Sequence, residues 1–158
     1  MAVREILKLG HPLLKNISAR VENIDKDIIK LIRDLKDTLY NTTGIGLAAP
    51  QIGVNKRVIL IDFRNGEEPI LLINPVIKRK FGSKESEEGC LSYPGYYGLV
   101  DRPRLVIVKG MSEFGEEVRY RADDLLCTAF CHEIDHLDGI MFTDKAYEIY
   151  EEEEEEDI

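Results

Sequence analysis

The 158 residues predict an α+β fold, with small, mostly antiparallel sheets packed around a C-terminal metal-binding helix and a further helix near the N-terminus. Three observations carry this reading. Apolar residues recur at helical spacing over residues 26–40, and short β-branched runs separated by Gly, Pro or Asn fill the middle of the chain. Near the C-terminus, residues 131–139 read Cys-His-Glu-Ile-Asp-His-Leu-Asp-Gly, with two histidines four apart at helical spacing.

The elements follow in order. Ile28, Ile29, Ile32, Leu35 and Leu39 form the first helical stripe, with Asp25 as its N-cap. Thr42-Thr43-Gly44-Ile45-Gly46 ends it. Residues 57–63, 70–77, 104–109 and 117–121 read as strands, and Asn65-Gly66 signals a tight turn between the first two. From Asp123 or Asp124 to His136 the pattern is helical again, with Gly139 near the C-cap. One domain is expected over residues 1–150.

The composition, 44% hydrophobic and 32% charged, is that of a globular protein. Seven carboxylates lie in residues 151–157, so the net charge of −9 falls to about −2 for the rest. Residues 151–158 are expected to form a disordered or frayed acidic tail. The body has no basic stripe, which argues against direct nucleic-acid binding, and no stretch has the roughly 18 apolar residues of a membrane span. The N-terminus has no apolar leader, and three cysteines, an odd number, suit a reducing compartment, so a cytoplasmic location is expected.

His132, Glu133 and His136 form the H-E-x-x-H signature. Histidines at i and i+4 share one helix face and reach one ion, and Glu133 is placed to take a proton from water on that ion. A catalytic site needs a third protein ligand. The metzincin pattern would place a histidine at position 142, which holds Phe142. Upstream, Cys90 lies in what reads as a glycine-flanked turn, Glu87-Glu88-Gly89-Cys90-Leu91-Ser92, and a thiolate beside two imidazoles suits zinc or ferrous iron. Cys127 and Cys131 fit buried packing instead. In Gly44-Ile45-Gly46-Leu47-Ala48-Ala49-Pro50-Gln51, small residues allow close backbone approach and Gln51 offers an amide donor.

GIGLAAPQ at 44–51, EGCLS at 88–92 and HEIDH at 132–136 together resemble the peptide deformylase family, in its order and spacing, over residues 2–147. The resemblance implies a hydrolase that removes the formyl group from the initiator methionine of nascent polypeptides. It implies Cys90, His132 and His136 as metal ligands, Glu133 as acid/base, and Gln51 with the Leu91 N–H as oxyanion donors. It also implies one divalent ion, natively Fe2+, with Zn2+, Ni2+ or Co2+ able to occupy the site. Many relatives dock on the ribosome through a basic C-terminal helix, which the acidic run here replaces. Residues 93–98 lie where members of the family vary.

The pocket for the methionine side chain is expected beside His132, lined by Leu125, Thr128 and Ala129 on the preceding turns, and the resemblance implies Gly44, Ile45 and Gly46 opposite. Two rival readings stay open, a metallo-endopeptidase and a non-catalytic metal module. A structural zinc site normally has four protein ligands and no adjacent Glu.

Overall fold

The computed structural model of the chain describes residues 2–152. Helix α1 spans Lys26–Tyr40 and is followed by strands β1 (Gly46–Ala48), β2 (Val58–Ile61), β3 (Ile70–Phe81), β4 (Lys84–Cys90), β5 (Tyr93–Arg102), β6 (Leu105–Met111) and β7 (Glu117–Asp123). Helix α2 (Asp124–Leu137), the single turn α3 (Phe142–Lys145) and strand β8 (Glu148–Glu151) complete it. The strands form a five-stranded antiparallel sheet, ordered β1-β2-β3-β6-β7, and a three-stranded one, β4-β5-β8. The α+β expectation holds.

The larger sheet is covered on both faces, which its strands encode by alternation. Val58, Leu60, Leu71 and Ile73 pack under α1, against Leu31, Leu35 and Leu39. Ile59, Ile61 and Leu72 point the other way, with Val106 and Val108, to meet Phe130, Ile134 and Leu137 of α2. Each fully buried side chain of this size contributes about 1.5–3 kcal/mol. Asp25 caps α1, its carboxylate accepting from the Ile28 N–H at 3.0 Å. Ile29 of the expected stripe faces outward.

Three local expectations are corrected. Residues 62–69 form a longer loop, in which Asn65 accepts from the Glu67 N–H, rather than a two-residue turn. Residues 84–90 and 93–102 are strands, and Cys90 ends β4 instead of sitting within a turn. Their Glu, Ser and Gly content has low strand propensity, and cross-strand pairing overrides it. The expected 150/151 boundary falls inside β8, where Glu151 pairs with Tyr96 and the Glu152 N–H donates to the Gly95 carbonyl at 2.8 Å. The rest of the acidic run lies outside the described residues.

Helix α2 ends in a Schellman arrangement: Gly139, at φ +74°, donates to the His136 carbonyl while Ile140 donates to that of Asp135. A Cβ on Gly139 would lie 2.4 Å from the Lys15 carbonyl oxygen, whereas one on Gly53 (φ +85°) would meet nothing within 4 Å. Gly53→Ala should therefore cost only the left-handed backbone penalty, about 1–2 kcal/mol, and Gly139→Ala clearly more. Urea denaturation of both variants checks the order, and equal losses would contradict it.

Candidate active site

Helix α2 is nearly all buried from Ala129 to Leu137, including His132, Glu133, Asp135 and His136. Buried polar groups need partners, and those partners define the site. One turn of helix sets the two imidazoles 5.0 Å apart, centroid to centroid. The end of β4 brings Cys90 Sγ to 3.3 Å from His136 Nε2. One donor atom from each of Cys90, His132 and His136 falls within 4.8 Å of the others. A thiol and two imidazoles at this spacing suit a borderline or soft divalent ion.

The second imidazole nitrogens differ. His132 Nδ1–H donates to Glu88 Oε1 at 2.9 Å, which orients Nε2 toward Cys90. His136 Nδ1 is buried without a partner. Burial pushes His132 down, but hydrogen bonds to Cys90 and Glu88 outweigh it and hold the ring well above the usual imidazole range. His136 is held well below that range, by burial first and by the charge on His132 second. Surroundings that favour a proton on His132 also favour a cation among the three donors.

Glu88 is itself held from behind. Arg102 on β5 donates to both Glu88 oxygens at 2.7 Å, and its remaining nitrogen donates to Asp135 Oδ2 at 2.7 Å. Lys145 then reaches Asp135 Oδ1 at 3.1 Å. Burial raises the Glu88 carboxyl, but Arg102 and His132 prevail and hold it near 2. Arg102 is invisible to sequence reading, because an arginine in such a segment is read as exposed unless its partners are visible.

Glu133 follows His132 on α2, with Oε1 buried and unpartnered and Oε2 against the Gly46 backbone, where a Cβ would approach to 2.4 Å. Burial pushes its carboxyl up to about 7. Gln51 sits in a 3-10 turn, Ala49–Ile52, its amide fixed by the Ala48 N–H donating to Oε1 at 2.9 Å. Its Nε2 points to Ser92 Oγ at 3.0 Å and to Cys90 Sγ at 3.5 Å. Residues from all three sequence motifs line one cleft of about 430 Å³: Gly44, Ile45, Gly46, Gln51, Cys90, Leu91, His132 and Glu133. Phe142, in the position a metzincin histidine would occupy, lies face-on to His132 with ring centroids 6.1 Å apart.

The sequence profile described as polypeptide deformylase matches residues 3–152. The chain belongs to the polypeptide deformylase family. It is 51% identical over 155 residues to peptide deformylase 2 of Clostridium perfringens, covering 96% of this chain and 97% of that one. A crystal structure of a peptide deformylase from Legionella pneumophila superposes with a TM-score of 0.88 at 43% identity, over 91% of this chain and 86% of that one. A peptide deformylase from Synechococcus elongatus in complex with actinonin gives 0.87 at 39%, over 94% and 87%. As a deformylase the chain is a metal-dependent amide hydrolase, and no described helix is long and apolar enough to cross a membrane.

Three expected pocket residues are not among those lining this cleft. Leu125 is 70% exposed. Thr128 shares a hydrogen bond with Ser86 of β4 at 3.3 Å, and Ala129 belongs to the core between α2 and the sheet. Helix periodicity gave their angular position but not how much of each turn the sheet occupies. Instead the deformylase cleft is walled by Tyr93, Pro94, Gly95, Tyr96 and Tyr97, which the sequence marked only as a variable segment.

Cys127 and Cys131 are buried, and burial pushes the Cys131 thiol up to about 12. Iodoacetamide at about pH 8 should therefore alkylate Cys90 of the chelated native protein and spare the other two, and added zinc should protect Cys90. Peptide mass mapping reads the pattern, and modification of Cys131 ahead of Cys90 would contradict it.

Proposed function

We propose that this cleft removes the formyl group from the initiator methionine of newly synthesised polypeptides, releasing formate and a free amino terminus. The observation that carries the reading is a buried carboxylate with one unpartnered oxygen, Glu133, beside three convergent metal donors on the floor of an open cleft.

Cys90, His132 and His136 would hold one divalent ion. When bound, that ion supplies Lewis-acid chemistry, acidifying water and polarising a carbonyl. Glu133 takes a proton from the attacking water and later gives it to the departing amine, and a carboxyl raised to about 7 is suited to both transfers. Gln51 Nε2 and the Leu91 N–H stabilise the oxyanion as the carbonyl carbon becomes tetrahedral. The small residues Gly44 and Gly46, with Ile45, crowd the floor so that a formyl group fits where a bulkier acyl group clashes.

Ferrous iron is the proposed native ion, with Zn2+, Ni2+ or Co2+ as substitutes, in keeping with the mixed thiolate and imidazole set. The methionine side chain is proposed to enter the cleft beside His132, against Ile45. The location is proposed as cytoplasmic, supported by three free cysteines. The partners are N-formylmethionyl nascent chains.

Anaerobic purification with elemental analysis, followed by formate release from formyl-Met-Ala-Ser, tests the reading. One ion per chain and turnover are expected, with no cleavage of the unformylated peptide. Chelation should abolish turnover, and ferrous iron should restore it. Glu133→Gln should keep the ion and lose about three or more orders of magnitude in kcat, because an amide cannot carry the proton. Activity within about tenfold of wild type would remove Glu133 from that role. Cys90→Ser should lose most of its affinity for the ion, a hydroxyl being a far poorer ligand than a thiolate. Undiminished binding would exclude Cys90.

A further inference from the structure

We infer that Tyr97 is the specificity-determining residue for the peptide beyond its methionine, and that it selects a basic side chain there. The inference rests on the deformylase reading of the cleft. Tyr97 packs over Gly89, the residue before Cys90, so closely that a Cβ on Gly89 would lie 2.9 Å from the Tyr97 ring. The ring thereby forms part of the cleft wall. It is also the wall of an adjoining depression of about 550 Å³, whose other lining residues are Glu87, Tyr150, Glu151 and Glu152. Tyr97 is thus the one residue common to the two cavities, and a peptide leaving the metal centre on this side crosses it.

The chemistry of this exit favours a cation. Strand β8 pairs with β5 in register Tyr97↔Tyr150, stacking the two rings at 6.2 Å and 24°. Two aromatic faces attract an ammonium or guanidinium group, and three carboxylates surround them. The residues lining the cleft include no lysine or arginine, and besides His132 the one charged side chain among them is Glu133, so an acidic peptide side chain finds no cation along the wall. Tyr93 and Tyr96, stacked at 4.3 Å and 5°, stiffen the hairpin that presents Tyr97. β8 supplies the second ring and the Glu151 carboxylate, and Glu152 follows it directly.

The test is kcat/KM for formyl-Met-X-Ser with X as lysine, norleucine, alanine or glutamate. Lysine should exceed norleucine, its neutral counterpart in length, by about three- to fivefold, and glutamate should fall below alanine by a similar factor. The lysine advantage should shrink as salt is raised from about 0.05 to 0.5 M. Tyr97→Leu, which keeps bulk but removes the aromatic face, and Glu151→Gln/Glu152→Gln, which removes charge, should each reduce the lysine-to-norleucine ratio. Both are read as ratios, so a general loss of activity does not mimic the effect. Rapid formate release with equal turnover of lysine and norleucine peptides overturns the inference alone, as does a ratio that Tyr97→Leu leaves unchanged. No release from any peptide overturns the deformylase reading and this inference with it.

Discussion

A buried guanidinium holds the two halves of the metal centre in one frame. Cys90 arrives on β4 and the histidines arrive on α2, and nothing covalent fixes one against the other. Arg102, with a side chain only 2% exposed, bonds Glu88 two residues before Cys90 and Asp135 one residue before His136. Taking these ions out of water costs several kcal/mol each, and only near-ideal pairing offsets it. The pairing is close to ideal, with three charge-assisted contacts at 2.7 Å. Removing Arg102 leaves the buried Glu88 carboxylate without its cation, a loss of about 3–5 kcal/mol. His132 is the beneficiary, since the same Glu88 carboxylate fixes its ring and its tautomer.

The layered fold explains why such a network can exist. The five-stranded sheet supplies an apolar bed for one side of α2, and the three-stranded sheet supplies polar partners for the other. The helix is therefore buried from Ala129 to Leu137 while still facing a cleft through His132 and Glu133. Glu133 exploits this: burial raises its carboxyl, and the missing Cβ of Gly46 lets backbone approach it closely. Gln51 is stiffened in the same way, its amide held at one end by Ala48 and at the other by Ser92.

Much of this was legible in the sequence because the responsible signals are local. Helix α1, its Asp25 cap, four of the strands and the motif helix follow from spacing within about fifteen residues. His132, Glu133 and His136 are set by one turn of helix, and Cys90 emerged because no downstream residue could complete the ligand set. What stayed hidden depends on contacts between distant segments. Strands β4 and β5 have poor intrinsic propensity and exist through their register with each other. Arg102 reads as an ordinary surface residue until Glu88 and Asp135 close around it. The outward face of Leu125 and the docking of Glu151 are likewise decided by neighbours that sequence spacing does not name.

The metal centre depends on a residue that touches no metal-ligand atom. The most direct measurement is the dissociation constant for Co2+ or Zn2+ in Arg102→Lys, which keeps the positive charge but loses the planar fork that spans Glu88 and Asp135. Affinity weaker by about 10–100-fold, with the helical circular dichroism signal retained, is the predicted result. Unchanged affinity in a folded variant would contradict the claim that the guanidinium frame holds Cys90 and the histidine pair in register.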